Sequence, residues 1–240
     1  MSKKIILIYS GGLDSTVLLN SLLHDGHEVK CLSINYGQRH RRELTHARCI
    51  CAAHSVEHRV ADLSTLKEFL GGSSQTDDSV AVPHGSYDAP SMKLTVVPNR
   101  NALMLSVAFA WAISLKYDAV AYAAHAGDHE IYPDCRESFT TPFAEAMRNA
   151  DWHQVELLRP FLKMTKGDIV KRGNNLYASG PGGDMAASYS CYEGGEFHCG
   201  QCGTCQERRA AFIAAGVQDF TRYSEVGIQA LPDSQLPVIK

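Results

Sequence analysis

The chain predicts an α/β fold built on a doubly wound parallel sheet, and three observations carry that prediction. Short apolar runs alternate with helix-length stretches along the 240 residues. Several runs are apolar at consecutive positions rather than at every second one, as strands covered on both faces require. The first run also passes directly into a glycine turn and a helix, the opening unit of a βαβ pattern. Sheets of this kind take their ligands at the carboxyl ends of the strands.

In chain order, residues 4–9 form the first strand, through Ile5, Ile6, Leu7, Ile8 and Tyr9. Residues 14–24 follow as a helix, with Val17, Leu18, Leu19, Leu22 and Leu23 as its apolar set. The second strand is 29–35 and the second helix 41–54. Arg39-His40-Arg41-Arg42 reads either as a local basic patch or as a solvated helix start. The third strand is 57–61. Residues 71–98 break the rhythm, being rich in Ser, Gly, Asp and Pro, and read as a long surface excursion. Loops of that length inside compact domains tend to be functional lids or partly ordered segments. A helix at 100–116, a strand at 119–124, a helix at 139–149, a strand at 155–159 and a helix at 166–174 complete the alternation. Residues 179–205 are glycine-rich and irregular, a last helix covers 206–215, and the tail after 231 holds two prolines and reads as extended.

A content of 45% hydrophobic and 20% charged residues is ordinary for a globular chain, and 240 residues suffice for one sizeable α/β domain with an appendage. A net charge of −3 gives no general pull toward nucleic acid. Met-Ser-Lys-Lys runs straight into the first strand with no visible signal peptide, and the apolar stretch 103–115 is too short to span a bilayer. A cytoplasmic protein with neither membrane nor nucleic acid as partner is therefore expected. In that reducing compartment its eight cysteines read as metal ligands or catalytic thiols before disulfides. A homodimer is compatible with the pattern, but no residue argues for it.

Ser10-Gly11-Gly12-Leu13-Asp14-Ser15-Thr16 is the most informative stretch. A strand–glycine turn–helix aims free backbone N–H groups and the positive end of a helix at one point, which suits a phosphate. Two glycines let the backbone approach the anion, and Ser10, Ser15 and Thr16 add hydroxyls. Asp14 would repel a phosphate unless a Mg²⁺ ion or the helix N-terminus holds it. The pattern is neither G-x-x-x-x-G-K-[ST] nor G-x-G-x-x-G.

Cys191, Cys199, Cys202 and Cys205 give C-x7-C-x2-C-x2-C. Four thiolates so close in sequence can wrap one tetrahedral cation, and Gly194, Gly195, Gly200 and Gly203 allow the tight backbone. Zinc in a closed, structural site is the first reading, with an iron–sulfur cluster as its competitor. Cys31, Cys49 and Cys51 read as small buried hydrophobes, and His198 as a bystander beside a ligand. Residues 1–178 thus read as a nucleotide-binding α/β domain and 179–240 as a zinc-binding region packed on it.

The string S-G-G-x-D-S resembles the PP-loop of the ATP pyrophosphatase family, whose members hold ATP and activate a substrate oxygen as an adenylate. Further stretches narrow the resemblance: Val97-Pro98-Asn99-Arg100-Asn101, residues 127–136 (G-D-H-E-I-Y-P-D-C-R), and the cysteine cluster. Together they look like the 7-cyano-7-deazaguanine (preQ0) synthases of queuosine biosynthesis. Glu137 departs from that family, in which proline often follows D-C-R. The resemblance implies a Rossmann-like fold of the adenine nucleotide alpha hydrolase type with a small zinc-bound C-terminal region. It also implies ligase chemistry on 7-carboxy-7-deazaguanine, ammonia and ATP with Mg²⁺, through an amide to the nitrile.

On that resemblance the nucleotide segment is Tyr9, Ser10, Gly11, Gly12, Leu13, Asp14, Ser15, Thr16, Val17, Leu18 and Leu19, joined by Asn99 and Arg100 at a helix start. Asn99 and Arg100 could equally be caps of that helix. Asp14 and Ser15 with Lys163 and Lys166 are the candidate catalytic groups, although either lysine could be a solvated helix-start residue. Asp134 could accept from a guanine-like N1–H and amine, and Arg136 could hold the substrate carboxylate in a fork; a surface ion pair is the alternative. His125, Asp128 and His129 read as a loop beside the substrate pocket rather than as a second metal site. Two rival functions remain: a PP-loop enzyme that thiolates tRNA, for which Cys135 would have to be recruited, and a zinc module that binds nucleotide or nucleic acid without catalysis.

Overall fold

The computed structural model describes residues 1–176 and 183–224. Five strands, β1 (Lys4–Ile8), β2 (Glu28–Asn35), β3 (His58–Asp62), β4 (Ala119–Ala121) and β5 (Glu156–Leu158), form one sheet in the order β3-β2-β1-β4-β5. Every pairing is parallel, with Ile5 opposite both Val29 and Ala119. The helices are α1 (Leu13–His24), α2 (Arg42–Ala53), α3 (Arg100–Leu115), α4 (Glu137–Asn149), α5 (Lys166–Leu176), α6 (Gly183–Ala187) and α7 (Gly203–Ala215).

Period-two alternation explains why β1 is apolar throughout. Ile5, Leu7 and Tyr9 face a core built with α1, α2, α5 and α7, whereas Ile6 and Ile8 face a second core built with α3. Each face of the central strand is buried, so neither set can be polar. The chain winds outward from β1 to β3 and then returns to β4 on the other side of β1. The carboxyl ends of β1 and β4 therefore part company, and the crevice between them is the topological switch point.

The turn after β1 is held from two sides. Gly11 has φ +79°, and a Cβ there would lie 2.6 Å from the Glu43 carbonyl and 2.8 Å from the Ala47 amide of α2. Its own carbonyl accepts from the Tyr189 amide at 2.9 Å. The missing side chain of Gly11 thus admits α2. Gly11→Ala combines a strained φ with a backbone clash, so a loss of roughly 3 kcal/mol is expected. A thermal melt checks it, and an unchanged midpoint would mean α2 does not press on this turn.

Residues 71–98 are not the surface excursion expected. Ser73, Ser74, Gln75 and Thr76 are buried, as are Met92 and Thr95. Backbone bonds make this burial affordable: Ser74 donates to Leu94 at 2.7 Å and Arg39 to Gln75 at 2.8 Å. The Arg39 guanidinium also donates to the carbonyls of Asp77 and Val80. A short 3-10 turn at Ser64–Phe69 precedes the segment, and a second at Pro90–Thr95 lies within it. Within α2, Cys51 is buried but Cys49 is exposed, against expectation, because the core-facing Ala47, Ile50 and Cys51 share a helix face on which position 49 does not lie.

The C-terminal region packs on the α/β unit, since Met185, Ala211 and Phe212 belong to the same core as Leu18 and Ile169. Arg208 of α7 is fully buried, yet its guanidinium donates to Thr221 Oγ1 at 2.7 Å and Ser188 Oγ at 3.0 Å. The boundary expected at 178–179 and the extended tail after 231 lie outside the described residues.

Candidate functional site

At the switch point a cavity opens over the turn between β1 and α1. Ser10, Gly12, Leu13, Asp14 and Ser15 line one wall, with Tyr9 behind them. α1 begins at Gly12, which offers no side-chain cap. The first-turn N–H groups thus keep their donors for an external acceptor, and the helix dipole adds positive potential there. Ser10 Oγ accepts from the Gly12 amide at 3.2 Å and lies 3.1 Å from Ser15 Oγ, whose hydroxyl donates to the Gly12 carbonyl.

The remaining members of the expected nucleotide segment turn inward. Thr16 places its hydroxyl 3.1 Å from Tyr9 Oη, inside the core. Val17, Leu18 and Leu19 are fully buried against the sheet, so their place in the motif is packing.

Asp14 lies beside Lys166, the first residue of α5, with Nζ 3.1 Å from Oδ2. The same ammonium sits 2.6 Å from Glu207 Oε2 on α7. Burial pushes the Asp14 carboxyl up, but Lys166 and His125 outweigh it and hold the group below its ordinary value. Burial pulls Lys166 down, but Asp14 and Glu207 overcome it and keep the amine charged. In Glu207 burial dominates and raises the pKa despite Lys166. His125 Nε2 points at Asp128 Oδ1 (3.6 Å), Glu207 Oε1 (3.7 Å) and Asp14 Oδ2 (4.0 Å). Asp14 Oδ1 and His125 Nε2 are buried without a hydrogen-bond partner.

The cavity is also lined by tyrosines, Tyr36, Tyr87, Tyr122, Tyr132 and Tyr192, and Lys166 Nζ lies 5.9 Å from the Tyr87 ring centre. Tyr132 Oη bonds Thr95 at 2.7 Å and Tyr192 Oη at 3.0 Å, which fixes two ring planes. The Arg100 guanidinium lies 5.4 Å from the Tyr132 ring centre and faces the cavity. Tyr87 arrives from the 71–98 segment and donates to Asp128 at 3.1 Å.

Other expected residues lie elsewhere. Asn99 is exposed in a left-handed conformation (φ 52°), outside the cavity lining, and makes no side-chain cap. Lys163 is exposed and does not line the cavity. Asp134 accepts from the Asn101 amide at 3.0 Å, so it caps α3 from outside that helix. Arg136 is exposed and donates to the His129 carbonyl at 2.7 Å. Neither Asp134 nor Arg136 lines the cavity; the D-C-R stretch instead contributes Cys135, which does. Asp134→Ala should cost about 1 kcal/mol as a lost cap while leaving the KM for every substrate within about twofold. A larger KM change would return Asp134 to the site.

Glu207 was not legible at all, because a glutamate two residues past a cysteine motif follows no pattern. Tyr87 could have been suspected only from its place in a segment too long to be a plain connection.

The four cysteines do come together, their Sγ atoms all within 4.8 Å of one another and Cys199 Sγ 3.9 Å from Cys205 Sγ. A tetrahedron with Zn–S bonds of about 2.3 Å would set its sulfurs about 3.8 Å apart. Amides of Gln201 and Cys202 donate to Cys199 Sγ at 3.4 and 3.3 Å, as suits a thiolate. The set fits one metal ion. His198 is more than a bystander, since it is buried between Tyr189 and Tyr223 and accepts from the Ser190 amide at 3.2 Å.

Comparison with known proteins agrees with this geometry. Residues 4–216 match the family described as queuosine biosynthesis protein QueC. The 7-cyano-7-deazaguanine synthase of Pseudoalteromonas translucida is 45% identical over 223 residues, 93% of this chain and 100% of that one. That of Methanoregula boonei is 45% identical over 220 residues, 92% and 99% of the two chains. Among solved structures, a 4-thiouridine synthetase in complex with RNA and ATP superposes with a TM-score of 0.51 at 16% identity, covering 98% of this chain and 50% of that one, a likeness of fold.

Proposed function

The chain belongs to the QueC family of queuosine biosynthesis proteins, and from that premise we propose that it makes 7-cyano-7-deazaguanine from 7-carboxy-7-deazaguanine, ammonia and ATP. The observation that carries the reading is the Asp14–Lys166 pair at an uncapped helix start in a cavity lined by tyrosines.

A carboxylate resists amines because oxide is a poor leaving group. Its oxygen therefore attacks the α-phosphorus of ATP, and the bond to pyrophosphate breaks. Ammonia then attacks the carbonyl carbon, AMP departs, and a proton is lost to give the amide. The amide oxygen attacks a second ATP in the same way. Loss of the remaining N–H protons with departure of AMP leaves the nitrile. Both activations occur at oxygen on one carbon, so one cavity serves both.

The first-turn N–H groups of α1 and Ser10 receive phosphate oxygens. Lys166 offsets charge that grows on the transferring group. The tyrosines hold the flat heterocycle, and Arg100 supplies the guanidinium for an anionic group of either substrate. Glu43, bonded by Gln38 Nε2 at 3.0 Å and lining the cavity, provides the acidic acceptor that Asp134 does not. Asp14, with Oδ1 buried and unpartnered, fits a Mg²⁺ ion, which would neutralise pyrophosphate charge. The knuckle is proposed to hold Zn²⁺ rather than an iron–sulfur cluster, because several irons and sulfides between the thiols would spread them wider.

A thiolating enzyme would need an available cysteine. Burial pushes the Cys135 thiol well up, and it accepts from Asn101 Nδ2 at 3.2 Å. No described helix is long and apolar enough to cross a membrane. The cytoplasm, where eight free cysteines stay reduced, is the compartment proposed.

Mass spectrometry tests the reading. With ATP, ammonium and carboxy-deazaguanine, the amide and then the nitrile should accumulate with AMP and pyrophosphate. No ammonium nitrogen incorporated in the product, or sulfur transferred to tRNA from a sulfide donor, would overturn it.

A further inference from the structure

We propose that Glu207 is a positioning residue for both activation steps: it holds the Lys166 ammonium off-centre between two carboxylates, so that one oxygen of Asp14 stays unpartnered. The inference rests on the functional reading above and assigns a role to a residue that no motif marks.

The geometry is specific. Lys166 Nζ is shared between Glu207 Oε2 at 2.6 Å and Asp14 Oδ2 at 3.1 Å. Asp14 Oδ1 accepts from no group. Without the Glu207 carboxylate, the ammonium would have one dominant partner and would close on Asp14. Lys166 would then mask the carboxylate that must stay available, and would be drawn away from the transferring phosphate.

His125 supports the arrangement from behind. Its Nδ1 accepts from the Gly127 amide at 3.0 Å, which leaves Nε2 as the ring nitrogen facing the carboxylates. That nitrogen points toward Asp128 Oδ1, Glu207 Oε1 and Asp14 Oδ2 at 3.6, 3.7 and 4.0 Å. Gly127 permits this, because a Cβ there would lie 2.9 Å from the His125 ring and 3.3 Å from Glu207 Oε1.

The position of Glu207 is set by the knuckle. α7 starts in it, with Cys202 at its N-cap and Cys205 in its first turn. Residues two apart on a helix point to nearly opposite sides, so the start of α7 carries the Cys205 thiol toward the knuckle and the Glu207 carboxylate toward Lys166. α5, which begins with Lys166, packs along α7, and a Cβ on Gly167 would meet Ala214 Cβ at 3.4 Å. The two partners thus sit on rigid neighbouring helices rather than on loops.

A double-mutant cycle on the full-length, metal-loaded protein tests this. Glu207→Gln keeps the shape and removes the charge. It should lower kcat about tenfold or more while the KM for ATP moves less than twofold, with metal content and melting midpoint unchanged. Glu207→Asp should recover part of the rate. In a Lys166→Met background, Glu207→Gln should have no further effect, since there is no ammonium left to position. Parent-like kcat in Glu207→Gln, effects that multiply across the two sites, or loss of metal would each overturn the proposal. Should Glu207→Gln not fold, Glu207→Asp is carried through the same cycle. Failure of the functional reading would show separately, in the parent protein, as carboxy-deazaguanine left unconverted.

Discussion

Asp14→Asn is expected to lower ATP-dependent turnover by at least about a hundredfold while the fold and the metal stay in place. Asparagine keeps the volume and one acceptor oxygen but removes the charge that Lys166 faces at 3.1 Å. It also removes the anionic oxygen suited to Mg²⁺. Stability should change little, because Lys166 keeps Glu207 at 2.6 Å and is not left as an isolated buried cation. A midpoint shift of no more than about 4 °C corresponds to roughly 1 kcal/mol in a chain of this size. Steady-state pyrophosphate release and a thermal melt on one preparation check both halves. A near-normal rate would remove Asp14 from the reaction. A collapsed melt would make the Asp14–Lys166 pair a folding device.

Cys202→Ser should have the largest effect on stability. The knuckle joins four thiols within 4.8 Å, and Cys202 also begins α7. With three thiolates the cation loses its closed tetrahedron, and like thiolates are left crowded without a charge between them. A loss of about 3–5 kcal/mol is expected, a drop of roughly 10 °C or more in midpoint, with metal content falling in step. The damage should spread beyond the knuckle. Gly85 donates to the Gln201 carbonyl at 3.1 Å, and a Cβ on Gly203 would lie 2.6 Å from Met92, so the segment that delivers Tyr87 rests on the knuckle. The KM for the deazaguanine should therefore rise in any surviving fraction. A variant that melts like the parent with its metal retained would show the fourth thiol to be dispensable.

Legibility in the sequence tracked the range of the interaction. Strands and helices were readable because β1 and its neighbours are apolar at adjacent positions, a local signature of two-sided burial. The knuckle was readable because a metal site gathers its ligands from a short span. Asp14 and Lys166 were each noticed, but nothing in their positions 14 and 166 indicated that they touch. Asp134 misled because a carboxylate beside a predicted loop fits a ring reader and a helix cap equally well, and only its bond to the Asn101 amide separates them. The approach of α2 to Gly11, which leaves no room for a Cβ, was likewise invisible in the local pattern.

Residue order alone thus determined the α/β class, the phosphate-suited turn and the four-thiol knuckle, because each follows from neighbours within a turn or two of chain. The tertiary structure alone decided which side chains meet at and behind the cavity: Glu207 with Lys166, Tyr87 with Asp128, and Arg100 over Tyr132. The physical reason is that packing of helices and segments distant in sequence sets these meetings, and such packing depends on all the surfaces at once rather than on any local pattern.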